Sequence, residues 1–468
     1  YMGGAEGGIT DNIDWNVSAS YGESENVQTQ YGYWLNSRVR QALLAGPNGC
    51  FNTANGCVPL NAFGPDGSIT PAMNQFLTGE SKVAVRTSQL QVKGLISGDF
   101  GYTVPWASHA ISFAVGTEYR KYTASQQSDL LSQSNDLGGA GGAAPNMNGG
   151  YDVIEGIGEI QIPIIQDVAG IQELTVGGGV RYSSYKVDAP GNPKYDSWTW
   201  KGEGTWTIGG GFTVRGNYSR AVRAPNISEL FFPLNTGLTN LGTDPCAGSA
   251  PLTNANLRAV CIAQGASPDI IGQIGQPSAG QANATSGGNL ALKPETSNSF
   301  TVGVAATPDF LRGFSFTVDY YNIKITNAIT TPTPGDAMNA CFANITSASA
   351  SDPACTAIRR NYLSGSFDGD AAGLYLPLSN LGTLKTDGID VTFDFKTKFS
   401  DDIGFGLSFQ GNWTNSSKFQ ATPTSIDREC VGYYSVNCAS IQPKFSFTVR
   451  PTLTFGDIDV GLNWRFID

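Results

Sequence analysis

The sequence predicts an all-β fold, a transmembrane antiparallel β-barrel with about 14 strands, and three observations support this prediction. Apolar and polar residues alternate in many runs of about 9–12 residues, the length that a tilted strand needs to cross a hydrocarbon core. Short turns and long polar loops alternate between these runs, which is the layout of barrels in bacterial outer membranes. The 468 residues contain no apolar run of about 18 or more residues, so helical membrane spans are excluded.

The alternating runs place the strands, in chain order, at roughly 1–9, 12–34, 84–104, 109–124, 149–162, 171–187, 195–208, 212–222, 296–306, 313–328, 384–398, 403–418, 442–455 and 457–468. Long loops join them at one end, at 35–83, 125–148, 223–295, 329–383 and 419–441, with 188–194 as a short connection on the same side. All other connections are short turns. We therefore expect the long-loop side to be extracellular.

The apolar positions of each strand share one phase. In one run, Phe393 and Phe395 alternate with Asp394 and Lys396, so one face meets an apolar medium and the other a polar one. The sequence predicts that the following side chains face lipid: Phe393, Phe395, Phe405, Leu407, Phe409, Phe445, Phe447, Leu453 and Trp464. A soluble β-sandwich also alternates, but long hairpins separated by loops of up to about 70 residues fit such a fold poorly.

Charged residues occupy the opposite phase of the strands and are expected to face the barrel lumen. They are Glu118, Arg120, Glu155, Glu159, Arg181, Lys201, Glu203, Arg215, Asp319, Asp394, Lys396 and Arg450. One interpretation is a lumen that contacts other segments of the protein and its cargo. The other is a hydrated wall whose charges pair between neighbouring strands.

Eight cysteines fall in four pairs that are close in sequence, and all lie in polar loop stretches. The pairs are Cys50 and Cys57, Cys246 and Cys261, Cys341 and Cys355, and Cys430 and Cys438. Local pairs in loops indicate disulfides formed in an oxidising compartment. A zinc site is disfavoured because His109 is the only histidine that could join the cysteines.

The loops are expected to contain short helices at 36–45, 254–264 and 353–363. The pair Asp368 and Asp370 has carboxylates at a spacing seen in calcium loops but lacks the further ligands, so a turn is the simpler interpretation. No catalytic constellation is recognisable, and we expect neither an enzyme nor a cofactor. The net charge of −11 and the lack of a basic cluster argue against nucleic acid as a partner.

Three segments together resemble motifs of one family. They are SRAVRAPNISEL at 219–230, NLALKPETSNSF at 289–300 and LKTDGID at 384–390. They resemble, in family order, the barrel motifs of TonB-dependent outer-membrane receptors, the ligand-gated importers of Gram-negative bacteria. The motif residues, expected to be structural or to face a plug domain, are Arg220, Arg223, Pro225, Asn226, Glu229, Lys293, Pro294 and Glu295. A bidentate ion pair of an arginine with Glu229 is one expected arrangement.

The resemblance implies a barrel of about 22 strands, preceded by a plug domain and a TonB box. Residues 1–468 are accordingly expected to be barrel only, without plug, TonB box or the last strands. The implied partners are the TonB complex through segments absent here, a nutrient in the extracellular loops, and lipopolysaccharide with outer-membrane lipid.

The implied cargo is a scarce large nutrient, namely a siderophore, cobalamin, haem or an oligosaccharide. The loops offer aromatic side chains that could stack on such cargo or form loop cores: Phe51, Phe63, Phe342, Tyr362, Phe367, Tyr375, Tyr433 and Tyr434. A passive porin and a surface-docking barrel that transports nothing are the alternative functions.

Overall fold

The computed structural model describes residues 1–140, 142–423, 425–433, 438 and 441–468. The strands are β1 (Met2–Thr10), β2 (Ile13–Trp34), β3 (Ala45–Gly46), β4 (Gly49–Cys50), β5 (Thr78–Thr103), β6 (Ala110–Ser128), β7 (Met147–Val168), β8 (Ile171–Val187), β9 (Lys194–Gly209), β10 (Phe212–Arg223), β11 (Asn235–Asn240), β12 (Gln281–Ser286), β13 (Glu295–Ala306), β14 (Phe314–Thr330), β15 (Leu374–Tyr375), β16 (Ser379–Lys398), β17 (Ile403–Gln420), β18 (Arg428–Glu429), β19 (Phe445–Phe455), β20 (Ile458–Gly461) and β21 (Trp464–Ile467).

One sheet of 16 strands forms the wall, and every pairing within it is antiparallel between strands that follow each other in this order: β1, β2, β5 to β10, β13, β14, β16, β17, β19 and β20. The two-residue β18 adds to β17, while β20 and β21 both pair with β19 and are two parts of one crossing strand. The wall therefore has the 14 crossing strands that the alternation predicts. Successive connections of this meander lie at alternate ends of the sheet, and the long ones, which follow β2, β6, β10, β14 and β17, all lie at the same end.

Several strands are longer than the sequence predicts. β5 begins at Thr78 rather than at 84, β6 ends at Ser128 rather than at 124, and β16 begins at Ser379 rather than at 384. The ladder continues there through pairs such as Gln30 with Ser81. Toward the loops both faces are polar, so the alternation fades in the sequence although backbone pairing goes on.

The register places the predicted lipid-facing side chains on one continuous face. Phe393 lies opposite Phe409, which lies opposite Val449, and Phe395 lies opposite Leu407. Phe447 stacks on Phe466 with ring centroids 5.2 Å apart. We call this surface the apolar face and the other surface the polar face.

Ion pairs between neighbouring strands occupy the polar face. Arg215 donates two hydrogen bonds to Asp319, of 2.9 and 2.6 Å. Glu155, only 2% exposed, accepts bonds from Arg120 at 2.5 Å and Arg181 at 3.3 Å. This arrangement supports the interpretation of a wall whose charges pair between strands.

The long loops contain eight α-helices among the described residues: α1 (Asn36–Leu43), α2 (Pro71–Leu77), α3 (Leu130–Gln133), α4 (Ile227–Phe231), α5 (Ala250–Thr253), α6 (Ala255–Ala263), α7 (Pro334–Phe342) and α8 (Pro353–Thr356). Two of the three expected helices form nearly as predicted, as α1 and α6. The helix expected at 353–363 ends at Thr356, because Arg359 pairs with Gly373 in a β-bridge and the backbone N–H of Arg360 bonds to the Gln264 carbonyl. No helix in the described part of the chain is both long and apolar enough to span a membrane.

Four disulfides staple the loops, and they join the sequence-local pairs: Cys50 with Cys57, Cys246 with Cys261, Cys341 with Cys355, and Cys430 with Cys438. All four lie on the long-loop end of the sheet.

Replacing Phe409 by Arg should destabilise the protein in a bilayer by about 2–4 kcal/mol, because Phe409 lies on the apolar face in the interior of β17. The neighbouring substitution Gln410→Arg lies on the polar face and should cost much less. Urea unfolding of the full-length protein in lipid vesicles measures both free energies. Equal losses from the two variants would contradict the assignment of the faces.

Candidate functional site

The first two family-like motifs meet at Arg223, at the loop end of β10. Its guanidinium donates hydrogen bonds of 2.7 and 2.8 Å to Glu295 and two of 3.0 Å to Glu229. Arg223 lies directly opposite Glu295 in the β10–β13 ladder. The planar fork of arginine suits this double bidentate contact, which a lysine ammonium cannot reproduce. We call Arg223, Glu229 and Glu295 the motif node.

The chain leaves β10 through a short, tightly specified turn. Pro225 is almost fully buried, and Asn226 caps α4 by accepting a 2.7 Å bond from the Glu229 N–H. The Glu229 carboxylate bonds back to the Asn226 N–H at 2.7 Å, which completes a capping box. α4 buries Leu230 against Val187, Leu292 and Ile329. The sequence motif therefore fixes the direction in which the 224–294 loop starts.

The same node anchors a second loop. Glu295 also accepts a 2.6 Å bond from the Ile329 N–H at the end of β14. Asn380, at the start of β16, exchanges bonds of 2.7 Å with the backbone of Lys293 and donates one of 2.9 Å to the Asn327 carbonyl. The bases of loops 224–294 and 331–378 are thus tied together around Glu295.

Further from the wall, these two loops share one hydrophobic core, which we call the loop unit. Its buried side chains come from both loops: Leu241, Val260, Ala282, Ala284, Met338, Cys341, Cys355, Ile358, Phe367, Leu374 and Leu376. The strands β11, β12 and β15 also combine both loops in one small sheet. The sequence did not predict this shared core, because the paired residues are far apart in the chain.

A buried ion pair joins the two halves of the loop unit. Arg360 and Asp244 form two hydrogen bonds of 2.6 and 2.7 Å, and their side chains are 0% and 1% exposed. Gln264 accepts a 2.7 Å bond from Arg360, and the guanidinium lies 4.0 Å from the centre of the Phe367 ring. Charges buried this deeply are tolerated only when they are paired, so these contacts specify how the loops fit together.

A third loop joins the unit through Arg428, which bonds to Asp336 at 2.7 and 3.2 Å. Burial favours the neutral form of Asp336, but hydrogen bonds from Arg428 and Thr333 outweigh burial and lower the pKa of that carboxyl. Asp336 also caps α7 together with Thr333. The loops 331–378 and 421–444 are therefore held together electrostatically.

The polar face below the motif node contains a cavity of about 550 Å³. Its lining includes Arg120, Tyr151, Glu155, Arg181 and Arg223. Arginine, glutamate and tyrosine groups here form a polar surface beneath the loop unit. Such a surface suits contact with water and with other polar groups.

The structure separates the two arginines of the first motif. Arg220 lies directly opposite Trp200 in the β9–β10 ladder and shares the apolar face with Tyr218, whereas Arg223 lies on the polar face. The two side chains therefore cannot act at one site. Lys293 is exposed and Pro294 is half-buried beside the node.

The predicted loop aromatics fall into two groups. Phe367 is buried and Phe342 packs against the loop core. The exposed group consists of Phe51, Phe63, Tyr362, Tyr375 and Tyr433, while Tyr434 lies outside the described residues. Asp368 accepts a hydrogen bond from Ser366 within a turn, and the described residues contain no group of three or more metal-ligating side chains.

A family model described as TonB dependent receptor-like, beta-barrel, matches residues 1–467, so the chain belongs to that family. It is thus the barrel of an outer-membrane receptor of a Gram-negative bacterium, and the expected resemblance and location are confirmed. No curated protein matches the sequence.

Solved structures of low sequence identity share the fold. The siderophore receptor PirA from Acinetobacter baumannii is 15% identical with a TM-score of 0.52, and the match covers 98% of this chain and 48% of PirA. A mutant of the ferric enterobactin receptor PfeA from Pseudomonas aeruginosa is 14% identical with a TM-score of 0.52, covering 98% and 47%. The RagAB peptide transporter is 12% identical with a TM-score of 0.52, covering 100% and 47%. The chain spans about half the length of these structures.

Replacing Arg223 by Gln should loosen the base of the 224–294 loop by about 1–2 kcal/mol, since Glu229 and Glu295 lose their partner at a partly exposed site. Limited proteolysis of the folded receptor should then cut this loop faster, and Arg223→Lys should restore only part of the resistance. Arg215→Gln is the matched control, because its ion pair with Asp319 lies in the strands away from the loops. Unchanged cleavage in Arg223→Gln would contradict an anchoring role.

Asp336→Asn should weaken the contact between α7 and Arg428 at pH 7 by about 1–3 kcal/mol. A carboxyl with a lowered folded pKa stabilises the fold above its ordinary pKa of about 4, and this contribution is lost as the pH falls through the folded pKa. The difference between wild type and Asp336→Asn should therefore shrink below about pH 4. Hydrogen exchange of the α7 amides at each pH measures this difference in stability. The control is Asp269→Asn, since the Asp269 side chain is exposed. A difference that stays constant down to pH 2 would refute the linkage.

Proposed function

We propose that this chain forms the barrel and extracellular loops of a receptor that imports a scarce, large nutrient with energy from the TonB complex. The observation that carries the proposal is the family match over 1–467, joined to a loop unit built on the family motifs. Passive porins need no large folded loop assembly above the wall. A receptor that must capture dilute cargo does need a specific, preorganised surface.

The family match supports import but does not select one cargo class among the family's substrates. The similar structures named above are a siderophore receptor, a ferric enterobactin receptor and a peptide transporter, so shared fold does not select one cargo. In support of cargo contact, five loop aromatics are exposed: Phe51, Phe63, Tyr362, Tyr375 and Tyr433. Exposed aromatic rings can stack on sugars or on aromatic siderophores.

Part of the site is proposed to come from a plug domain, which would face the cavity lined by Arg120, Glu155 and Arg181. The two edges of the sheet, at β1 and at β20 and β21, have one neighbour each among the described residues. Unpaired backbone groups are costly in hydrocarbon, so we propose that both edges are paired in the membrane.

Uptake of labelled cargo by cells that express the full-length receptor tests the proposal. The panel consists of a ferric siderophore, cobalamin, haem and an oligosaccharide, each measured with and without an active TonB complex. One member should accumulate saturably, and only when TonB is active. Linear uptake that does not depend on TonB would favour the porin, and no uptake of any member would count against the four proposed cargo classes.

A further inference from the structure

The small sheet of the loop unit has one face on the loop core and the other toward solvent. Successive residues of a strand point to opposite faces, and directly opposed residues of paired strands share a face. Ala282, Ala284 and Leu374 share the buried face and belong to the loop core. The alternate positions form what we call the outer sheet face: Leu238, Asn240, Gln281, Asn283, Thr285 and Tyr375. The sheet is therefore amphipathic, with its outer face available to a ligand.

The outer sheet face carries hydrogen-bonding side chains but no charged one. Asn240 and Gln281 are exposed, and their amides have no hydrogen-bond partner among the residues that the structure describes. Asn283 donates two hydrogen bonds, of 3.1 and 2.8 Å, to backbone carbonyls of the other loop, and its amide oxygen remains available to accept. The Tyr375 side chain, 42% exposed, adds an aromatic ring beside these amides.

This face continues into a cavity of about 570 Å³ that both loops line. The outer sheet face contributes Leu238, Gln281 and Asn283 to the lining, and other segments contribute further amides and hydroxyls, among them Gln273, Ser278 and Ser364. At about 3.3 Å per residue, Gln281 and Thr285 lie roughly 13 Å apart along β12. Sheet face and cavity together form one polar surface long enough for several linked rings, which we call the loop cleft.

The walls of the loop cleft are fixed by the packing of the loop unit. The Asn283 N–H donates a 2.8 Å bond to the carbonyl of Phe367, which lines the cavity and contacts the Arg360 guanidinium. Gln276 accepts a 2.8 Å bond from the Asp244 N–H, so the buried Asp244–Arg360 pair also holds this wall. A site that is ordered before its ligand arrives loses less conformational entropy on binding.

Charge distinguishes among the cargo classes. Among the described residues, Asp244 and Asp368 are the charged members of the cavity lining, and Asp244 is buried in its pair with Arg360. The loop cleft therefore offers no cation to an anionic cargo. Catecholate siderophores, haem and cobalamin each carry anionic groups, which would lie unpaired beside Asp368. Neutral sugars have no such cost, since hydroxyl groups pair with amides and apolar ring faces pack on aromatic rings.

We propose that the loop cleft binds a neutral oligosaccharide, an inference that rests on the proposed function and names its cargo class. The ring of Tyr375 packs against one sugar ring, while Asn240, Gln281 and Asn283 exchange hydrogen bonds with the hydroxyl groups of the chain. A hydroxyl group donates one bond and accepts others, and a primary amide also does both, so no charged group is required. An open sheet face suits an extended chain of rings.

Isothermal titration calorimetry with the full-length receptor tests the loop cleft. The detergent is lauryldimethylamine oxide, because a detergent with a sugar headgroup would compete for the cleft. The ligands are neutral hexasaccharides built from glucose, xylose, mannose or galactose, and at least one should bind saturably. Tyr375→Ala should weaken that binding by about tenfold or more, and Gln281→Ala by about threefold or more. Saturable binding of none of these ligands would overturn the inference.

Control variants separate ring contact from loss of structure. Tyr375→Phe keeps the ring and should bind nearly as tightly as the wild type. Tyr31→Ala removes a ring that is 70% exposed on β2, outside the loop cleft, and should leave the affinity unchanged. Gln281→Ala changes an exposed side chain, so its melting temperature should equal that of the wild type. Wild-type affinity in both Tyr375→Ala and Gln281→Ala, or an equal loss in Tyr31→Ala, would contradict the assignment.

Charged and compact ligands test the selectivity of the loop cleft. Hexagalacturonate, ferric enterobactin and the neutral siderophore ferrichrome should each bind about tenfold more weakly than the best neutral hexasaccharide, or worse. Gln281→Lys should raise the affinity for hexagalacturonate, because it supplies a cation to the carboxylates. Tighter binding of any siderophore, or of a neutral hexapeptide, than of every neutral hexasaccharide would overturn the cargo class.

Uptake by cells separates this inference from the proposed function. TonB-driven accumulation of another cargo, without hexasaccharide binding, would contradict the sugar site and leave the receptor function intact. A hexasaccharide that binds but does not accumulate with active TonB would contradict import and leave the binding site intact. Accumulation of the bound hexasaccharide that Tyr375→Ala lowers at limiting ligand concentration would support both.

Discussion

Backbone hydrogen bonding in a medium without water is the constraint on which this structure depends. Each N–H and C=O group within the hydrocarbon needs a partner in the protein, and the antiparallel ladder between neighbouring strands supplies it. The ladder in turn fixes the register, and the register decides which side chains meet lipid and which meet water. Phe393 with Phe409 on one face and Arg215 with Asp319 on the other are products of the same ladder.

The motif node extends this order from the wall into the loops. Arg223 and Glu295 are opposed residues of the ladder, yet they also hold Glu229 and the Ile329 N–H at the start of irregular segments. Loops as long as these would otherwise lose their conformational freedom without compensation. The motif node, the buried Asp244–Arg360 pair and the disulfides reduce this entropic cost of ordering the loops. They explain how a large folded surface can form at the loop end of the sheet.

Charge is distributed unevenly over the molecule. The polar face carries ion pairs between neighbouring strands, the loop unit buries Asp244 with Arg360, and Lys324, Lys385 and Lys418 lie side by side on the apolar face. A net charge of −11 conceals this segregation. An overall acidic composition therefore says little about which local partners the protein binds, because recognition depends on the few charges that share one face.

The sequence alone determined the wall, because period-two alternation is a local property that the chain carries strand by strand. It located the 14 crossing strands, the lipid-facing phase and the four sequence-local cysteine pairs, and its motifs identified the family. Tertiary structure alone decided how Asp244 pairs with Arg360 in another loop. It also decided that Lys324, Lys385 and Lys418 stand side by side. These relations join residues far apart in the chain, and only the register of the folded sheet and the packing of the loops bring them together.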